Sequence, residues 1–237
     1  MTCAIMQPTY LPWMGYFELI DRANPFVFLD HAQIVRRSWD IRNRIKTKDG
    51  VLFLSVPIRK ADARENTCFD NAVVDDRKKW REQHLKNIYH AYRKAPFFQP
   101  VYAVVENAIL HSGERLSEIN IALIVAIARA MSIETRYVRS SGLSGIEGRK
   151  DTLLASICRS LQCDTYLSPR GAAAYIEEHS PGGALAQSGI RLIYQDYWHP
   201  EYKQMHDGFV PHLSVIDLLF NVGFGAAPGV IRSGRSR

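Results

Sequence analysis

The segment AIMQPTYLPWMGYFELIDRANPFVFLD, residues 4–30, constrains the fold more than any other part of the chain. An apolar run over residues 3–7 stops at Pro8, and a second run, FVFLD, closes on Asp30. Short apolar runs without polar alternation are what strands buried on both faces require. Between them Pro12 opens a helical pattern with Phe17, Ile20 and Ala23 on one face. Proline suits the first turn, where its missing N–H would have no partner in any case. Asn24-Pro25 then ends the helix, because the residue before a proline is pushed out of the helical region. Strand, helix and strand at this spacing predict a parallel βαβ unit.

The alternation continues. Further strands are predicted at 51–58, 134–141, 163–169 and 190–197. Helices are predicted at 78–93, 96–111, 115–131, 149–162, 170–176 and 212–223, the last ending at Gly223 as a C-cap. Residues 31–49 are polar, basic and aperiodic, and read as a long functional loop. The expected fold class is α/β, a Rossmann-like, mostly parallel sheet flanked by helices. One domain over residues 1–224 is expected, with 225–237 a flexible tail that has little to bury.

Composition narrows the function classes. With 46% hydrophobic and 23% charged residues the chain reads as an ordinary globular protein. No apolar run approaches the ~18 residues of a membrane span. The N-terminus lacks the basic start and cleavage site of a signal peptide, so a cytoplasmic protein without membrane attachment is expected. Cys3, Cys68, Cys158 and Cys163 form no CxxC pair and have no histidine at ligand spacing. They read as reduced, mostly buried thiols, and neither metal nor cofactor is expected. The net charge of +6 is uneven: residues 36–94 hold 16 Lys/Arg against 8 Asp/Glu. Such a face draws nucleotides, sugar phosphates, a carrier's phosphopantetheine arm or nucleic acid.

Ligands of open parallel sheets sit beyond the carboxyl ends of the strands, at the switch point. That rule places the loop from Gln7 to Trp13, Asp30 with the loop after it, Ser140-Ser141 and Ser168 on one rim. Gln7 offers donor and acceptor, and Tyr10 and Tyr16 offer hydroxyls on rigid rings. Gln33, Trp39 and Asn43 follow Asp30 and are candidate substrate contacts, with Trp39 able to stack on a base or sugar. Arg37, Arg42 and Arg44 are candidate phosphate or anion ligands, since the guanidinium fork binds phosphate bidentately. Asp30, at a strand's end, can hold an amine or orient a base. Each residue has a plainer alternative: core aromatics, a turn acid, a surface ion-pair network. No GxSxG elbow and no cysteine in a basic or glycine-rich turn supports a covalent nucleophile.

The stretches AIMQPTYLPWMGYFELI, FVFLDHAQIVRRSWDIRNRI, WREQHLKNIYHAYRKAPFF, TYLSPRGAAAYI and HPEYKQMHDGFVPHLSVIDLLFN together resemble the WbqC-like family, from Ala4 to about Asn221. The chain departs from that pattern after Ser168, where Pro169 and Arg170 stand in place of the usual glycine. The resemblance implies an enzyme of polysaccharide or natural-product biosynthesis that modifies an amino sugar or another small amine. The leading expectation is transfer of an acyl or aminoacyl group onto the amine from an activated donor, carried by a protein or a tRNA. His84, within a matching motif, is the first choice of general base, with Asp30 orienting it. His199 is the second, with Tyr202, Gln204 and Ser168 as substrate contacts. A non-catalytic protein that binds a ligand or a carrier protein is one alternative. Nucleotidyl transfer is another, because the opening βαβ unit resembles that of the HIGH-type nucleotidyltransferases. Tyr10 and Tyr16 stand roughly where those enzymes place histidines, and no HxGH pair exists.

Overall fold

The computed structural model describes residues 1–35, 38–59 and 67–236. Its first strand, β1 (Thr2–Met6), leads through α1 (Met14–Arg22) into β2 (Phe26–Phe28), the predicted βαβ unit, and the two strands pair in parallel. A hairpin follows, β3 (Arg42–Thr47) and β4 (Gly50–Ser55). Three helices come next: α2 (Trp80–Tyr92), α3 (Phe98–His111) and α4 (Leu116–Ala130). The chain then returns to the sheet through β5 (Tyr137–Arg139), α5 (Lys150–Ser160) and β6 (Thr165–Ser168). Short helices α6 (Ala173–Ile176) and α7 (Gly183–Gln187) precede β7 (Arg191–Tyr194), and α8 (Val215–Ser233) is last.

Five strands form one parallel sheet in the order β5-β2-β1-β6-β7. The direction of winding reverses between β1 and β6, which is the Rossmann-like arrangement. Side chains alternate across the sheet. Cys3, Ile5, Val27 and Tyr166 pack with Leu154, Ile157 and Cys158 of α5. Ala4, Phe26, Phe28 and Leu167 pack on the other face, in the core built by α1, α4 and α8. β1 and β6 pair only at Thr2↔Thr165 and Cys3↔Tyr166, whereas β6 and β7 pair along four residues. The two switch-point strands therefore part company before their carboxyl ends, leaving room for a crevice.

Three expectations need correction. Residues 51–58 do not join the main sheet; β4 pairs antiparallel with β3, which the sequence reading had left inside a loop. In β3 Asn43 and Ile45 face the core, Arg42 and Arg44 alternate with them, and Lys46 is buried beneath the 204–208 loop, so no apolar run marks the strand. Residues 225–233 continue α8 instead of forming a flexible tail. Gly223 adopts φ +76 and interrupts α8, and the helix then resumes to bury Ala227 and Ile231. A Cβ on Gly223 would meet the Phe97 ring at 2.6 Å, so the glycine serves both the backbone turn and the close approach. Arg232 donates two hydrogen bonds to Asp21, and Arg235 pairs with Glu18 and Asp21 of α1. α8 is also the one helix among the described residues long and apolar enough to cross a membrane, and 56% of its most apolar window is buried within the fold, as in a core helix.

Candidate functional site

The loop after β1 is held by side-chain amides. Asn120 of α4 donates to the carbonyls of Pro8 (2.7 Å) and Asp40 (2.9 Å). Asn43 of β3 donates to the carbonyls of Tyr10 (3.2 Å) and Leu11 (2.8 Å), the latter residue having φ +43. Two prolines leave the loop short of N–H donors, so its carbonyls must find partners elsewhere, and buried carbonyls do not go unpaired cheaply. The amides of Val215 and Tyr10 reach Pro12 O and Trp39 O, pinning the loop to the start of α8 and to the segment before β3. At Gly15 a Cβ would sit 2.3 Å from the Trp13 ring, so this glycine lets the indole fold back over α1.

Trp13 thereby lines two of three adjoining cavities on the carboxyl rim of the sheet. One, about 490 Å³, lies between the diverging ends of β1 and β6 and is lined by Gln7, Leu29, Lys150, Pro169, Gly171 and Tyr175. The second, about 400 Å³, is walled by Met6, Trp13, Tyr16, Trp39, Arg44 and His212. The third, about 330 Å³, runs from Trp13 past Pro169 and Arg170 to Asp196 and Trp198. Met6, Trp13 and Pro169 are each shared between two of them, so the three form one branched crevice at the switch point.

The second branch carries the chemistry. The His212 ring packs edge-on against Trp13 with centroids 5.2 Å apart and lies 4.8 Å from the His199 ring. Arg44 fixes the loop beneath it, donating to the carbonyls of His212 (3.2 Å) and Pro211 (3.1 Å). Partial burial, and then the positive charge of Arg44, hold the His212 imidazole below its usual range, so it is neutral at pH 7. His199 stacks on Trp13 at 6.0 Å. Its Nδ1 donates to Pro200 O at 3.0 Å, which leaves Nε2 as the lone-pair nitrogen, and that atom is buried without a partner among the described residues. Burial and the neighbouring His212 drive the His199 pKa down to about 4.

A family model for the WbqC-like protein family matches residues 7–227. The chain belongs to this family. A protein of Mycobacterium tuberculosis, Rv1507c, named as uncharacterized, is 32% identical over 97% of this chain and 96% of its own length. No solved structure matches the chain.

In this WbqC-like protein most of the predicted site residues separate into two groups. Gln7, Tyr16, Trp39, Asn43 and Arg44 line the crevice. Of these, Tyr16 is buried and donates to Gln7 O at 3.0 Å, and Asn43 serves the loop. Arg42 lies beside them on the hairpin's outer face, its guanidinium over the Phe53 ring at 5.0 Å. Ser168 is buried at the end of β6, where its hydroxyl donates to Pro169 O at 3.2 Å. Gln33 is exposed and pairs through its backbone with Cys68. Arg37 lies outside the described residues.

The second group is committed elsewhere. His84 is 4% exposed within the core; its Nδ1 lies 2.9 Å from the Tyr10 hydroxyl, and Trp80 packs on both rings. It borders none of the crevice's three branches, so it is not placed to serve as the base there. Trp80, His84, Ile88 and Tyr92 form an i, i+4 stripe on the buried face of α2, which points His84 inward. Asp30 is likewise saturated. Burial pushes its carboxyl up, but the Ser141 amide (2.9 Å) and hydroxyl (2.7 Å) and Arg139 (2.5 Å) outweigh burial and hold it below the usual range. The result is a clasp between the ends of β2 and β5. Tyr202 donates to Asp217 at 2.9 Å, and Gln204 exchanges two hydrogen bonds with Val210. Lys46 caps the same loop through Gln204, His206 and Gly208. Both residues thus shape the 199–213 loop from within instead of facing a substrate.

Two further residues of the site were not expected from the sequence: His212 and Asn120. Asn120 is a polar residue on the apolar face of α4, among Leu116, Ile119 and Leu123, whereas His212 sits in no periodic pattern. His212 lies two residues before Ser214, the N-cap of α8, at φ +56. The specific LSVIDLLFN motif beside it was the available signal.

Proposed function

We propose that this protein is a transferase that moves an acyl or aminoacyl group onto the amine of a small molecule or amino sugar in polysaccharide or natural-product biosynthesis. The observation that carries the reading is a neutral histidine, His212, on the wall of an aromatic crevice at the switch point, beside a fixed guanidinium, Arg44. In this scheme the acceptor nitrogen attacks the carbonyl carbon of the activated acyl group. The bond from that carbon to the donor's oxygen or sulfur breaks, and the leaving group departs with the bonding pair. His212 takes the proton that the amine must lose, and returns it to the leaving group. A histidine kept neutral at pH 7 can accept that proton, and help of this kind is worth about 10² to 10⁴ in rate. Trp13 and Trp39 supply flat apolar walls for a sugar ring or acyl chain. A cytoplasmic setting follows from such donors.

A non-catalytic binding role is the second reading. It is favoured by the internal engagement of His84 and Asp30, which leaves the crevice with few acid–base groups. The two readings part on one experiment: purified protein is incubated with amino sugars and a panel of acyl thioesters and aminoacyl esters, and amide products are sought by mass spectrometry. Amide formed by wild type and lost in His212→Gln supports transfer; binding of acceptor without turnover of any donor supports the second reading.

A further inference from the structure

On the outer face of the β3–β4 hairpin, two exposed aromatic rings and two guanidiniums are interleaved. Trp39 and Phe53, 50% and 46% exposed, lie nearly parallel at 22° with centroids 6.4 Å apart. Arg44 sits over the Trp39 ring at 5.8 Å, and Arg42 over the Phe53 ring at 5.0 Å. The pattern comes from strand periodicity: Arg42 and Arg44 are two apart on β3, and Phe53 is the cross-strand partner of Arg44. Trp39, just before β3, and Phe53 on β4 both stay about half exposed, where they can meet a planar group.

The ladder does not end at the arginines. At one end Trp39 and Arg44 form part of the crevice wall. Toward the hairpin turn, Val51 leads into a groove of about 660 Å³ between the hairpin and α2, lined by Lys48, Arg93 and Lys94, with Asp49 its only acidic residue among the described residues. From Arg44 to Lys48 the strand covers about 13 Å. Lys46, between them, is buried beneath the 204–208 loop, so the accessible cations of the hairpin are Arg42 and Arg44 beside the crevice and, beyond that loop, Lys48 at the groove. A chain of phosphates can span cations spaced in this way, whereas a carrier protein's arm presents one phosphate and no base.

We infer that the hairpin's outer face and the basic groove beside it bind single-stranded RNA, with bases stacked on Trp39 and Phe53 and the backbone running along Lys48, Arg93 and Lys94. Alternating aromatic platforms and cations are how sequence-tolerant single-strand binders work. Because Trp39 and Arg44 also wall the crevice, the activated acyl group arrives on an RNA end; this last step rests on the transfer reading above, whereas the binding surface does not.

The test is fluorescence anisotropy of the full chain with a labelled, unstructured and unacylated RNA decamer, in the absence of any acceptor. Saturable binding is expected, with single strand favoured over duplex of the same sequence. Trp39→Ala and Phe53→Ala should each weaken it by about 5- to 150-fold, the worth of one stacked base. Trp39→Phe should recover most of the loss. Arg93→Gln with Lys94→Gln should flatten the slope of log affinity against log salt by about 1.4. Circular dichroism of each variant confirms that these surface changes leave the fold intact. The inference is overturned by absence of saturable binding, by aromatic variants that bind like wild type, or by coenzyme A binding as tightly as the decamer. Since no acyl group is present, a failure here is distinct from a failure of the transfer chemistry.

Discussion

The Tyr10 hydroxyl and the His84 Nδ1 lie 2.9 Å apart in the core, joining the loop after β1 to the middle of α2. Burial holds the imidazole neutral and lowers its pKa to about 4, with the Ser55 backbone opposing weakly. The same burial pushes the tyrosine hydroxyl well above its usual range. The pair is a neutral hydrogen-bonded strut, and its consequences are for stability.

The first prediction follows from that pKa. In the unfolded chain His84 titrates near 6.5, so between about pH 6.5 and 4 the unfolded state holds more protons than the native one. The stabilisation is fully present above pH 6.5 and is lost as pH falls toward 4, by about 3 kcal/mol in total. Asp40 and Asp217, whose carboxyls burial raises, titrate in the opposite sense. The comparison must therefore be between wild type and His84→Gln. The variant should start less stable at pH 7 and lose less on acidification to pH 4.5, read from urea midpoints. Parallel curves would contradict the assignment.

Asp30 gives a second prediction. Its carboxyl accepts from Arg139, Ser140 and Ser141, and each oxygen is engaged. Asp30→Asn should cost about 1–3 kcal/mol, the price of mispairing a buried acceptor set. Because its carboxyl is held below the ordinary range, the stability it lends is present above about pH 4 and is lost as pH falls further. Any loss of transfer by this variant should vanish at a temperature where it is fully folded. A rate deficit that persists there would return Asp30 to the chemistry.

A third concerns the loop clamp. Asn120→Leu removes the donor shared by Pro8 O and Asp40 O, leaving two buried carbonyls without it. The expected cost is at least about 2 kcal/mol. Trp13 emission should shift to the red as the loop relaxes, since the indole rests on that loop. A variant with wild-type stability would show that the loop is held by its other contacts alone.

The C-terminal segment supplies the fourth. Deleting residues 225–237 strips Ala227 and Ile231 from the core and takes away the Arg235 partner of the buried Glu18. Lost burial and the removal of both arginine partners of Asp21 together exceed about 3 kcal/mol, while Glu18 keeps Arg22 and Gln195. At about 2–4 °C per kcal/mol for a chain of this size, Tm should fall by at least about 6 °C. An unchanged Tm would support the frayed tail that the sequence had suggested.

Much of the fold could be read from strand runs alone, because strands buried on both faces have to be apolar. β1, β2 and β6 announced themselves in this way, whereas β5 and β7, on the sheet's edges, are only partly buried and carry arginines. β3 did not stand out, because its inward side is led by the polar Asn43 and its outward side by arginines. A glycine after α8's first two turns read as a stop, since nothing in the sequence shows that the Phe97 ring needs that space. Gln7, Tyr16, Trp39 and Arg44 reached the crevice as the switch-point rule implied. His84 did not, and its own i, i+4 stripe was the better guide. His212 lies in a loop of irregular backbone, where periodicity offers no handle, and its place beside Trp13 depends on contacts across some 200 residues of chain.

The most direct test of the central claim sets the two histidines against each other. Single-turnover amide formation is measured for wild type, His212→Gln and His84→Gln, at a temperature where all three are folded. The crevice account predicts that His212→Gln loses about 10² to 10⁴ in rate while acceptor affinity holds, and that His84→Gln stays within a few-fold of wild type. Full activity in His212→Gln, with the loss falling on His84→Gln, would contradict it.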